Sequence, residues 1–436
     1  MNTSKGSVSL NFGIRGWLVI IYCFLSFVIG GAFLGVWQIT ITENAQTLGW
    51  NTTALFSLTN VAGIIMCLFE MWLSRMLIKA KVNIARVGII MFAIYVIACL
   101  IMRLAITDVV IFNLMFVICY ITTNGQSMMV NGVLVGNWWP RRRGMVIGLT
   151  TVGVPVGSAF GNGFYMAFAK IAGPQNVYFI YALAGLVICA LGIFFIRSYP
   201  EQVGAYPDND KTLDREAMKK EFAKMQEMQK RNPWNLKRIL STPQVWLIVL
   251  LGFVTFNSNG IFMMQSMNRL VVYGPLEMPE AMVLMTIASV VAIFGSPLCG
   301  VIDSKFGTKV SAVFICILAL VCTVLQLPGT YTSIMIGMIF FGIVMGGASN
   351  VVVSLASDAF PRDSSGRAFS IIQPVMHLIT MGVNEMYLLI GGKVHNYMPV
   401  YAIYIVLLIV TIIIFGAKYN PQIVRDLDAK LKAECK

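Results

Sequence analysis

Again and again the chain runs for about twenty residues, the length needed to cross a bilayer core, with few or no charges. That recurrence limits its fold more than any other feature. Twelve such runs are read at 17–36, 53–73, 82–103, 109–135, 144–168, 177–196, 243–265, 281–302, 309–327, 331–356, 367–391 and 398–416. In hydrocarbon every backbone N–H and C=O must be bonded within the chain, so runs of this length fold as helices. The stretch from Val400 to Phe415 has no polar face, as a helix on the surface of a soluble protein would need. Hydrophobic residues make up 58% of the 436 positions and charged ones 12%, too little polar surface to cover a water-soluble globule. The expected class is an all-α membrane protein with twelve transmembrane helices.

The net charge of +13 suggests a nucleic-acid partner until its placement is considered. With alternate loops assigned to opposite sides, only Arg103, Lys170, Arg269 and Lys393 of the 32 lysines and arginines fall on the side away from the termini. This positive-inside pattern puts both termini in the cytoplasm and leaves no charge for nucleic acid to explain. The first run lacks a cleavage site and is expected to stay as the first helix. Of the nine cysteines, eight lie in apolar runs and none forms a CxxC pair, so neither a metal nor a redox site is expected, and no cofactor.

One long polar stretch, Arg197 to Thr242, divides the chain into expected units at 1–196, 197–242, 243–417 and 418–436: a six-helix bundle, a cytoplasmic linker, a second six-helix bundle and a cytoplasmic tail. Leu213 to Gln229 within the linker reads as a solvated or surface-bound helix. The halves repeat weakly. Trp17-Leu18-Val19-Ile20 overlays Trp246-Leu247-Ile248-Val249, and Trp139-Pro140 overlays Phe360-Pro361, as in transporters built from repeated bundles.

Between the eighth and ninth runs lies Gly300-Val301-Ile302-Asp303-Ser304-Lys305-Phe306-Gly307-Thr308-Lys309. It resembles the G-x-x-x-D-(R/K)-x-G-(R/K) loop of the major facilitator superfamily, which implies that fold and gives Gly300, Asp303, Lys305, Gly307 and Lys309 a gating role. Glycine would permit a tight turn and close helix approach there. The first-half counterpart, Met71 to Lys81, has Ser74 in place of the carboxylate and Ile78 in place of the glycine, with Glu70 one turn earlier as a possible substitute. The fifth run stacks Gly153, Gly157 and Gly161 around Pro155, in partial resemblance to the superfamily's antiporter motif; plain close packing is the alternative. Asn137-Trp138-Trp139-Pro140, Ser241-Thr242-Pro243-Gln244-Val245-Trp246 and Pro200-Glu201-Gln202-Val203-Gly204 are similar to segments of the oxalate:formate antiporter and monocarboxylate porter group. Oxalate carriers of that group hold their dianion with an arginine in helix 8 and a lysine in helix 11. Those positions fall here at Ser296 and Met376, which argues against oxalate.

An ionisable group inside a membrane is a functional candidate by default. His377 leads, because histidine as a residue type changes charge near neutral pH. Glu385, two helical turns on, is its expected partner in a proton-responsive pair, and Glu70 is a third coupling candidate; a histidine merely satisfied by neighbouring helices is the alternative. Arg269 either faces the cavity mouth or snorkels to headgroups. Helices 1, 4, 7 and 10 line the pathway in the resembled superfamily, so Trp37, Gln38, Asn60, Asn124, Gln126, Asn131, Asn257, Asn259, Gln265, Asn350 and Gln373 are either binding candidates or ties between helices.

The expected function is secondary transport of an organic carboxylate across the bacterial cytoplasmic membrane by alternating access, through proton symport or anion exchange, by a monomer. A bulky amphipathic acid such as a bile acid is the alternative cargo, with a drug or metabolite exporter or a transporter-like sensor behind it. An enzyme would need a nucleophile with its base, paired acids or a metal cluster, and two histidines with two buried glutamates do not supply one.

Overall fold

A computed structural model describes residues 11–434 except 51–54, 56, 79–82, 141, 211–215, 217–219, 221–222, 224–226, 228–231 and 267. The helix read at Leu213 to Gln229 thus lies largely outside the described residues. A helix overlies each of the twelve predicted spans: α1 Gly13–Leu48, α2 Leu58–Ile78, α3 Ile84–Leu104, α4 Val109–Trp138, α5 in two segments Arg143–Thr151 and Gly153–Ala172, α6 Pro174–Phe195, α7 Pro243–Met264, α8 Met278–Phe306, α9 Thr308–Gln326, α10 Tyr331–Ala359, α11 Arg362–Val394 and α12 Met398–Lys418. Several overrun their apolar spans, because backbone bonding continues until something stops it. For α1 the stop is Gly49 at φ 72°, and for α11 it is His395 at φ 53°.

Ten of these helices are long and apolar enough to cross a membrane; α2 has only a shorter apolar stretch, Leu58–Ser74, and α11 does not qualify. These two least lipid-compatible helices pack along each other, one from each half. Polar residues unsuited to lipid thereby face protein. Helix α5 packs along α8 as the second contact between halves.

The glycines of α5 serve packing. A Cβ on Gly157 would lie 2.1 Å from the Val28 carbonyl oxygen, and one on Gly153 would lie 2.4 Å from that of Phe24, so α5 and α1 touch backbone to backbone. Pro155 cannot donate to the carbonyl four residues back, and α5 breaks nearby, at Val152. Helix α4 carries a π-helical turn at Gly125–Val130, and α7 carries one at Gly260–Met264. Such turns re-aim side chains without ending a helix.

The stretch expected as a tail folds against the protein. Helix α13, Pro421–Glu434, buries Val424 and Asp428; the Asp428 carboxylate accepts from Trp234 Nε1 at 2.7 Å and pairs with Lys432 at 2.8 Å. Its apolar stripe is too sparse to read as a helix with a buried face.

Candidate functional site

A cavity of about 190 Å3 lies between the halves, walled by α1, α2, α4, α5, α7, α10 and α11. Apolar side chains form most of its wall, among them Phe27, Phe33, Phe256 and the methionines Met66, Met128, Met263, Met264, Met345 and Met381. Thioether side chains make an apolar surface that adapts to irregular shapes. Polar groups come from Thr123, Asn124 and Ser127 of α4, Thr151 and Ser158 of α5, Asn259 of α7, and His377, Thr380 and Asn384 of α11. Among the described lining residues none is a lysine, arginine, aspartate or glutamate, and His377 is the lining side chain able to take up a positive charge.

His377 is 4% exposed. Its Nδ1 lies 3.4 Å from Glu70 Oε2, its Nε2 lies 2.9 Å from Gln373 Nε2, and its ring meets the edge of Phe256 at 5.5 Å between centroids. Glu70, on α2, is fully buried, and neither carboxylate oxygen has an aligned hydrogen bond. The separation is that of an ion pair, while the geometry falls short of a hydrogen bond. A carboxylate in so dry a place depends on its one cationic neighbour or on a proton. Glu70 therefore does not stand in for the missing carboxylate of the Met71 to Lys81 loop; it faces the bundle interior. The expected pairing of His377 with Glu385 is likewise replaced, since Asn60 of α2 donates to Glu385 and Glu70 takes the histidine. Helices α2 and α11 thus carry matched polar pairs, continued toward the termini side by Ser74 and Ser370 at 3.0 Å.

Of the other candidates, Asn124 and Asn259 reach the cavity, and Gln373 reaches a small second pocket beside it. Asn124 bonds the Tyr120 carbonyl at 2.9 Å, whereas Asn259 Oδ1 has no partner. Most of the rest hold helices together. Trp37 donates to Asn113 at 3.1 Å and stacks on Phe116. Gln126 bonds Tyr22 and Asn131, Asn131 bonds Ser26 at 2.7 Å, and Gln265 bonds the Asn384 carbonyl and Tyr397. Asn257 is fully buried away from the cavity, with neither amide atom bonded. The Gln38 side chain lies outside the described residues.

Arg269 faces neither the cavity nor headgroups. It is 3% exposed, donates to Gln326 at 2.8 Å and Tyr401 at 3.2 Å, and lies over the Phe262 ring. An amide, a phenol and an aromatic face replace the water a guanidinium would seek at the surface.

The positions matched to oxalate-binding cations are both off the cavity. Ser296 of α8 donates to the Gly148 carbonyl at 3.0 Å and accepts from Asn350 at 2.7 Å, while Thr151 donates to Asn350 at 3.1 Å. This cluster joins the halves on the side that carries the termini. Met376 points into its own half against Gly252, and its neighbour His377 is the α11 residue on the cavity.

In the loop after α8, Gly307 adopts φ 91° and its N–H caps the Asp303 carbonyl at 2.9 Å. The Asp303 carboxylate accepts from Thr308 at 2.6 Å, Lys305 is exposed, and Lys309 donates to the Tyr419 carbonyl at 3.1 Å. A side chain on Gly300 would meet nothing within 4 Å, so close helix approach does not account for that glycine.

Thr123, Ser127, Thr151, Ser158, Thr380 and Asn384 escaped sequence reasoning. A hydroxyl residue in an apolar helix can satisfy itself on a preceding carbonyl, as Thr123 does at 2.8 Å and Thr380 at 2.9 Å, so its presence carries no signal. Asn384 could have been found, as an amide two turns from His377 on the same helix.

No curated protein sequence matches the chain. In overall structure it is similar to the proton:xylose symporter XylE bound to 6-bromo-6-deoxy-D-glucose, with a TM-score of 0.74, 13% identity, and coverage of 93% of this chain and 96% of that one. It is also similar to a double-tryptophan mutant of XylE, with a TM-score of 0.75, 12% identity, and coverage of 96% and 99%. A family model described as the Major Facilitator Superfamily matches residues 86–383. A multi-pass helical chain with a central cavity between paired halves, matched over most of its length by that model, belongs to the Major Facilitator Superfamily and is a transporter of small molecules.

Proposed function

We propose that the protein carries a small organic monocarboxylate together with a proton, within the oxalate:formate antiporter and monocarboxylate porter group that its tryptophan and proline motifs resemble. The observation that carries this reading is His377 on the cavity wall with Glu70 buried behind it at 3.4 Å. One titratable cation suits one carboxylate. The methionine and phenylalanine walls suit an apolar body. Pockets for drug-sized ligands run roughly 300–1,000 Å3. The cavity here, about 190 Å3, favours a small acid over a bile acid.

The units 1–196 and 243–417 act as the two moving bundles, joined by 197–242, with 418–436 and both termini on the cytoplasmic side of a bacterial cell membrane, and one chain suffices. The α2–α11 and α5–α8 contacts are the surfaces along which the halves rock. Asp303, Gly307 and Lys309 restrain the base of that motion.

The test is uptake by proteoliposomes of labelled formate, lactate, aromatic acids and cholate, with and without an inward-acid gradient. Small acids should enter, faster with the gradient, and His377→Ala should abolish entry. Movement of cholate alone, or of no acid under either condition, would overturn the assignment.

A further inference from the structure

We propose that Gln373 is a positioning residue that sets the tautomer of His377 and so decides when the imidazole can accept an anion; this rests on the proton-coupled reading above. Gln373 Nε2 lies 2.9 Å from His377 Nε2, one turn away on α11. An amide nitrogen can only donate, so the imidazole Nε2 presents its lone pair. In the neutral ring the proton is then on Nδ1, the nitrogen that lies 3.4 Å from Glu70 Oε2.

Nε2 is occupied in that state, and its lone pair repels a carboxylate in the cavity. A proton arriving from the cavity bonds to Nε2 and turns it into a donor facing a donor. The donor-to-donor contact must give way: the amide turns over to offer its weaker, neutral Oε1, or it yields the Nε2–H to the carboxylate of a bound acid, a charged acceptor that competes with it. Proton and anion enter as a pair, and no covalent bond other than N–H changes. When the acid leaves, the amide recaptures Nε2 as the proton departs.

The surroundings leave few competitors for this role. Facing His377 are Glu70 of α2, the Phe256 ring of α7 and, across the cavity, Tyr120 of α4, while Glu385 of α11 is held by Asn60. Gln373 also lines the second pocket, with Asn131 and Thr150. That space, about 20 Å3, exceeds the roughly 10–15 Å3 one water requires. Gln373 thus borders a water-sized space on the termini side of His377, where a water, not the amide, would take up the proton.

The chain has two histidines, so 15N-histidine NMR of the full-length protein in nanodiscs resolves them, with the exposed His395 assigned by His395→Gln. Above its titration, wild-type His377 should show a protonated Nδ1 and a bare Nε2, and Gln373→Met should lose that preference. Gln373→Glu, which offers a charged acceptor in place of a neutral amide, should hold the doubly protonated ring to higher pH and move the acid limb of uptake the same way. An Nε2–H tautomer in the wild type, or the same tautomer in Gln373→Met, overturns the assignment, and the wild-type spectrum decides even if a variant fails to fold. The spectra are read without substrate. A protein that shows the Nδ1–H form yet moves no acid therefore refutes the carboxylate function while upholding the tautomer.

Discussion

Glu70 and His377 meet across the two halves of the molecule, one on α2 and one on α11, with the carboxylate fully buried and no hydrogen bond to either of its oxygens. Removing one member of such a pair strands a charge in a dry interior, which is worse than removing both. His377→Leu should therefore destabilise the purified protein by about 3–5 kcal/mol, unless Glu70 takes up a proton to escape the penalty. Glu70→Gln combined with His377→Leu should recover much of that loss. Thermal unfolding in one detergent at fixed pH measures the cycle. Additive losses would mean that the two groups do not interact and would remove the basis of the proposed coupling.

Most of this architecture was legible in sequence because a bilayer leaves a chain few options. The apolar runs, the one-sided lysines and arginines and the glycine-bounded loop after α8 each answer to a constraint that acts locally. The pairing of His377 with Glu70 does not: 307 positions separate them, and only the packing of α2 on α11 brings them together. Glu385 was the better guess from spacing on one helix, but Asn60 claims it from the neighbouring one. Arg269 shows the same limit from the opposite direction, because a cation near a helix end reads as surface until Gln326, Tyr401 and Phe262 are seen to enclose it.

Gly157 has no room for a side chain: its Cβ would lie 2.1 Å from Val28 O and 2.9 Å from Ala32 N, both backbone atoms. Such contacts cannot be relieved by a rotamer change, so Gly157→Val must push α5 off α1. The expected result is loss of most folded protein, read as the monodisperse fraction of a fluorescent fusion on size exclusion. Gly163→Ala on the same helix, where a Cβ meets nothing within 4 Å, should leave that fraction unchanged. Equal behaviour of the two variants would show that the α1–α5 contact is not as close as described.

The cluster of Thr151, Ser296 and Asn350 tests whether the termini side opens as a gate. Its hydrogen bonds cross from α5 to α8 and α10 at 3.0 to 3.2 Å, all buried, next to the α5 break at Val152, and Asn350 donates to Ser296 at 2.7 Å within the second half. Thr151→Val keeps the shape and removes the hydroxyl that bridges to Ser296 and Asn350. A net contribution of about 1 kcal/mol per bond would shift a two-state balance by roughly fivefold for each bond lost. Val353 lines the small pocket just inside this closure, so a cysteine there reports on opening. In vesicles, Val353→Cys should react with a membrane-impermeant maleimide added on the termini side several times faster when Thr151→Val is also present. The eight cysteines among the described residues are buried, so the test is run with Cys435→Ser present throughout and that variant alone as the background control. Unchanged labelling would mean that these bonds do not hold the termini side shut, and the restraint would then have to be sought in the α2–α11 contact between Ser74 and Ser370.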